Sequence, residues 1–67
     1  MTKVYLVHNC NDWVERNWVE DAFSTKEKAV AFIEEYYPDY VYDERHDQWY
    51  KDGRGEDYIY IQEINVN

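Results

Sequence analysis

His8, Cys10 and Asp12 are the first residues along the chain whose types could do chemistry, because a thiol beside an imidazole is the pairing that makes a nucleophile. Residues two apart on a strand share a face, so the three could converge. The arrangement stops there: no second histidine lies nearby in sequence, and nothing supplies an oxyanion hole. It reads as a strand-end histidine followed by a turn cysteine. Asp43, Glu44, His46 and Asp47 crowd carboxylates and an imidazole into five positions, as a hard cation would require. Zinc sites, however, use Cys or His at closed spacings, and calcium loops use a fixed ladder of oxygens that is absent here. This segment reads as a solvated, charged loop. The two glycines between Asp52 and Asp57 are not followed by a helix and a lysine, so they mark a hairpin turn rather than a phosphate cradle. No catalytic residue, cofactor or metal is expected, and the chain reads as a non-enzyme.

What remains is binding. Tyr40, Tyr42, Trp49, Tyr50, Tyr58 and Tyr60 are threaded among Asp39, Asp43, Glu44, Asp47, Asp52, Glu56 and Asp57. Tyrosine and tryptophan combine a large apolar body with a polar tip and are the residues that most often anchor protein–protein contacts. The segment from Asp39 to Asp57 is therefore the expected partner-binding surface. A tryptophan in so small a domain is most often core, which is the reading favoured for Trp13, Trp18 and Trp49 taken one by one. Of the three, Trp49 is the one expected at a surface, because it lies among the acids.

Sixty-seven residues make one small domain, spanning 1–67, near the size at which a single core only just offsets chain entropy. Cys10 is the only cysteine, so no internal disulfide can help, and an unpaired thiol suits a reducing cytoplasm. Fifteen acids against seven bases give a net charge of −8, which repels phosphate-rich partners and disfavours direct nucleic-acid binding. The bases are also too dispersed to build a site for signalling nucleotides. No apolar run has the length of a membrane span. The three Trp, eight Tyr and two Phe supply more apolar surface than a disordered tail carries.

The elements that must position these residues follow from periodicity. Lys3 to His8 alternates as a strand with apolar residues on both faces, which implies a central strand. Asn9 to Asp12 is turn chemistry, and the chain returns through Trp13 to Phe23 as a hairpin with a long or bulged connection. Ser24-Thr25-Lys26-Glu27 has the form of a capping box with Ser24 as the cap. The helix it opens carries Ala29, Phe32, Ile33 and Tyr36 at helical spacing and stops at Pro38. Tyr40 to Tyr50 is a further strand, and Tyr58 to Val66 a last one. The expected fold is α+β, in the order β-β-α-β-β: a four-stranded, mainly antiparallel sheet with one helix packed on one face. A helix about 10 Å wide cannot cover strands spaced ~4.8 Å apart over a whole sheet. A second copy, giving a homodimer, or another partner is expected to cover the rest.

Lys3-Val4-Tyr5-Leu6-Val7, Ala22-Phe23-Ser24-Thr25-Lys26-Glu27-Lys28-Ala29 and Glu63-Ile64-Asn65-Val66 together resemble a group of small acidic proteins carried by bacteriophages and prophages. The likeness covers the first strand, the helix and the last strand, roughly half of the chain. It implies action in the host bacterial cytoplasm, where small acidic phage proteins inhibit host enzymes, including restriction and CRISPR systems. Such a protein would dock its acidic, aromatic surface onto a basic, nucleic-acid-binding cleft of a host protein, either by shape or as a mimic of DNA. The alternative from the same residues is a structural or regulatory homodimer whose acids keep it soluble.

Overall fold

A computed structural model describes residues 2–51 and 56–66. They form β1 (Thr2–Asn11), β2 (Arg16–Phe23), α1 (Lys26–Tyr36), β3 (Tyr40–Asp43), β4 (Gln48–Lys51) and β5 (Asp57–Val66). The strands build one sheet in the order β2-β1-β5-β4-β3, and every neighbouring pair is antiparallel. The α+β class and single helix match the expectation from sequence. The strand count does not: the described residues form five strands in the order β-β-α-β-β-β, because Tyr40–Tyr50 is two short strands rather than one. The reversal between them runs through Glu44–Asp47, where Asp47 takes φ 53° and the Asp43 carboxylate accepts the Arg45 amide at 3.0 Å. Aspartate is among the non-glycine residues that tolerate such a left-handed backbone best. The turn expected at Asp52–Gly55 lies outside the described residues.

β1 is interior, as its two apolar faces require, with β2 on one side and β5 on the other. Its pairing with β2 shifts register between Val7 and His8: Val7 faces Asp21 and His8 faces Val19, which leaves Glu20 as an extra residue on β2. Such a bulge bends the strand and re-aims a side chain. Here it turns Glu20 toward the helix. β2 occupies Arg16–Phe23, the later part of the segment read as the returning strand.

The helix starts one residue later than the capping box suggests. Thr25, not Ser24, is the N-cap, and its Oγ1 accepts the Lys28 amide at 3.2 Å. Ser24 Oγ instead accepts from Lys28 Nζ at 3.3 Å. Two adjacent hydroxyl residues can both cap; the choice of Thr25 is the one that accompanies Ala29 and Ile33 pointing at the sheet, where both are fully buried. Tyr36, expected on the same stripe, is turned outward and exposed. The core is small: Val7, Ala29, Ile33, Trp49 and Ile59 form one buried cluster, with Tyr5, Phe23, Val30, Phe32, Tyr37, Tyr40 and Ile61 packed around it. All of it lies between the helix and one side of the sheet.

Candidate functional site

The acidic and aromatic segment does not form one surface. Strand side chains alternate between sheet faces, and β3 and β4 divide the segment accordingly. Tyr40, Tyr42 and Trp49 lie on the helix side, while Asp43 and Tyr50 lie on the other. Asp39, Glu44, Asp47 and Glu56 are exposed, Asp57 is half-buried and held by Asn11 and Arg16, and Asp52 lies outside the described residues. Trp49 corrects the expectation most sharply: it is 6% exposed, paired with Ile59 across β4 and β5 and packed at 4.8 Å against the Tyr42 ring. The corner between the helix and the β3–β4 hairpin needs a large apolar group, and Trp49 fills it. The tryptophans expected inside are outside. Trp13 is 81% exposed at the tip of the first hairpin, and Trp18 is partly exposed on β2 beneath the Arg16 guanidinium, 4.5 Å away. A cleft of about 260 Å³ beside Trp49 is lined by Lys26, Val30, Glu34 and Tyr42 and closed at one end by the Lys26–Asp47 ion pair at 3.6 Å.

The sheet side without the helix is a different surface. Cross-strand partners share a face, so the registers define this side strand by strand. β1 contributes Val4, Leu6, His8 and Cys10, and β5 contributes Tyr58, Tyr60, Gln62, Ile64 and Val66. β2 adds Asn17, Val19 and Ala22, β4 adds Gln48 and Tyr50, and β3 adds Val41 and Asp43. One third of the chain is charged, yet among the described strand residues on this side Asp43 is the only formally charged one; the His46 ring pairs with it at 2.8 Å, and Asp12, just past β1, neighbours the Tyr58 phenol at one end.

The rings on this open side form a continuous row. His8 stacks on Tyr60 with centroids 4.5 Å apart, Tyr60 stacks on Tyr58 at 6.3 Å, and Tyr58 packs against Tyr50 at 6.1 Å. The polar atoms of His8 and Tyr50 find partners on the same side. His8 Nε2 lies 2.8 Å from Gln62 Oε1 and Nδ1 lies 3.4 Å from Asn17 Oδ1, while the Tyr50 hydroxyl donates to Gln48 Oε1. Beneath Tyr58 lies the Cys10 thiol, 1% exposed and raised in pKa chiefly by burial. Burial, followed by the neighbouring Cys10 and Asp12, pushes the Tyr58 phenol up to about 12. A thiol held neutral under a ring is the opposite of an activated nucleophile. His8 stands two residues away on the same face, but its ring nitrogens are engaged by Asn17 and Gln62. The Cys-His reading therefore finds no dyad here.

On the helix side, the bulged Glu20 gathers three donors on one carboxylate oxygen: Tyr37 Oη at 2.6 Å, Trp18 Nε1 at 2.8 Å and Asn9 Nδ2 at 3.1 Å. These hydrogen bonds, Trp18's foremost, hold its carboxyl below the usual carboxylate range. The network ties the end of the helix to β1 and β2, and Arg16 extends it by donating to Asn9 Oδ1 at 3.3 Å. It is structural in form: Glu20, Tyr37 and Arg16 between them satisfy the side chain of Asn9, a buried polar residue of the interior.

Asp43, Glu44, His46 and Asp47 do not converge. Asp43 pairs with His46, while Asp47 accepts from the Tyr42 hydroxyl at 2.7 Å and from Lys26. Among the described residues, no group of three or more His, Cys, Asp or Glu is arranged to hold a metal ion, and no helix is long and apolar enough to cross a membrane. No protein family, no curated protein and no solved structure matches the chain.

Sequence reasoning expected part of the sheet to be left uncovered by the helix but did not name its residues, because they are scattered over five strands. The signal was nonetheless present in β1 and β5, where Val4, Leu6, Ile64 and Val66 alternate with the residues that face the helix. Two long strands that are apolar on both sides already mark a sheet with two buried faces.

Proposed function

We propose that this chain is a protein-binding module with no chemistry of its own, and that it docks through the open side of its sheet. The observation that carries this reading is the near-absence of charge there, on a molecule that is acidic elsewhere. Charged residues are depleted from the buried centres of protein interfaces, and aromatic residues are enriched in them. Several polar groups there, His8 with Gln62 and Asn17 and Tyr50 with Gln48, are already paired with one another and lose little when water leaves, since the cost of burial falls on unpaired groups. The acids outside this face would keep the free molecule soluble and favour partners with basic surroundings.

A second reading keeps the acidic hairpin as the docking surface, and the exposure of Asp39, Glu44 and Asp47 favours it. The target would be a basic, nucleic-acid-binding cleft of a host enzyme, as for a phage-encoded inhibitor of host defence. The two readings separate by site-specific photo-crosslinking in bacterial cells, with the crosslinking residue at Val19 on the open face or at Glu44 on the hairpin. Adducts from Val19 are expected under the first reading. Adducts from Glu44 with none from Val19 would replace it with the second.

A further inference from the structure

We infer that the open face is covered by a second copy of this chain, packed sheet against sheet in a two-fold dimer. The inference rests on the docking reading above and names its partner.

The first ground is charge. Two molecules of net charge −8 repel one another, and the cost is greatest where acids would meet acids. The helix carries Glu27, Glu34 and Glu35, and the turn of the second hairpin carries Glu44 and Asp47, all exposed. The open face comes nearest to meeting its own image without opposing like charges, because Asp43 is already paired with His46 and Asp12 stands only at one end, beside Tyr58. In a two-fold contact the same patch occurs on both sides, so this self-neutrality is what such a contact requires.

Size is the second ground. β1 and β5 have ten residues each, β2 has eight, and β3 and β4 have four each. At ~3.3 Å per residue and ~4.8 Å between strands, the face measures roughly 600 Å² in projection. Its standing side chains add to that, which brings it near the about 800 Å² per partner of a stable interface.

The third ground is what the chain lacks alone. Its buried cluster is a handful of residues on one side of the sheet, and a domain of this size is commonly completed by association. Aligned packing of two sheets about 10 Å apart would turn the half-buried row of His8, Tyr60, Tyr58 and Tyr50 into the centre of a second core shared by both copies. The exposed valines Val19 and Val41, on β2 and β3, would close its two margins.

The test is sedimentation of the purified full chain across the micromolar range, with Val19→Lys and Val41→Lys beside the wild type. Both valines are exposed in the single chain, 48% and 67%, so lysine there has little cost to folding, which circular dichroism of the same samples checks. Each added lysine also brings the charge nearer to zero and would strengthen unspecific association. A wild-type dimer whose dissociation constant rises at least about tenfold in each variant, since each substitution occurs twice in the contact, is the expected result. Glu44→Lys should leave that constant within about threefold. A wild type that is monomeric throughout, or lysine variants that dimerise as well as the wild type, overturns the second copy as occupant. In cells, crosslinked adducts from Val19 at the mass of two copies support it. Adducts of other masses alone overturn it while leaving the docking reading standing, and absence of any adduct from Val19 overturns both.

Discussion

Tyr37, the residue just beyond the helix, donates its hydroxyl to the Glu20 carboxylate at 2.6 Å, and this single contact joins the helix end to the bulge of an edge strand. Glu20 is a carboxyl whose folded pKa is depressed below its ordinary value of 4.5. Its contribution to stability is therefore complete above that value and is lost as pH falls through it toward the lower folded value. Glu20→Gln should flatten this acid limb in urea unfolding measured as a function of pH. Tyr37→Phe should cost on the order of 1–2 kcal/mol at neutral pH, as for one hydrogen bond to a charged acceptor. An acid limb unchanged in the glutamine variant would mean that other carboxylates set it.

Tyr58 carries the opposite sign. Its phenol is raised from 10.0 to about 12, so the folded chain holds the proton more tightly than the unfolded one. The stability this contributes is fully present below the unfolded value and is lost as pH rises through the folded value. Alkaline titration followed by tyrosinate absorbance should show Tyr58 ionising after the exposed tyrosines, and Tyr58→Phe should remove that late step. Ionisation of all tyrosines together with no lag would contradict the packing of Tyr58 over Cys10.

The tryptophans should behave in opposite ways. Trp49→Ala empties the corner between helix and hairpin and is expected to cost about 3–5 kcal/mol, enough to unfold much of so small a domain. Trp13→Ala, at an 81% exposed hairpin tip, should stay within about 0.5 kcal/mol of the wild type in thermal or urea unfolding. Equal costs at the two positions would refute this assignment of inside and outside.

The helix cap offers a finer test. Thr25→Ala removes the side-chain acceptor of the Lys28 amide and should cost about 1 kcal/mol, whereas Ser24→Ala should cost only a few tenths. A larger loss at Ser24 would restore the capping register read from the sequence.

The comparison of these elements shows where local reading suffices. A Ser-Thr pair before a helical stripe announces a helix start, but the two hydroxyls compete on nearly equal terms, and the choice goes with the burial of Ala29 and Ile33. The segment Tyr40–Tyr50 is rich in β-forming aromatics, so it reads as one strand. Its reversal rests on Asp43 and Asp47, which hold the turn without a glycine. Trp49 misleads for a related reason: neighbouring acids say nothing about which sheet face a residue takes, and alternation from Ile59 across the ladder decides it. The open face is collective, since no strand alone displays it. It becomes visible only once register aligns Val4 with Ile64, His8 with Tyr60 and Cys10 with Tyr58.

The pairing of β1 with β5, which sets Thr2 opposite Val66, also governs how the chain can be made. The two longest strands are neighbours in space and lie at opposite ends of the sequence, so closing that ladder demands a loop of nearly the whole chain. Such non-local contacts slow folding, because the entropy of closure is spent before the contacts reward it. During synthesis, β1 leaves the ribosome first and must wait for β5 with one flank unpaired. The edge later hidden in the middle of the sheet is thus, for that interval, the part of the nascent chain most open to pairing with the wrong strand.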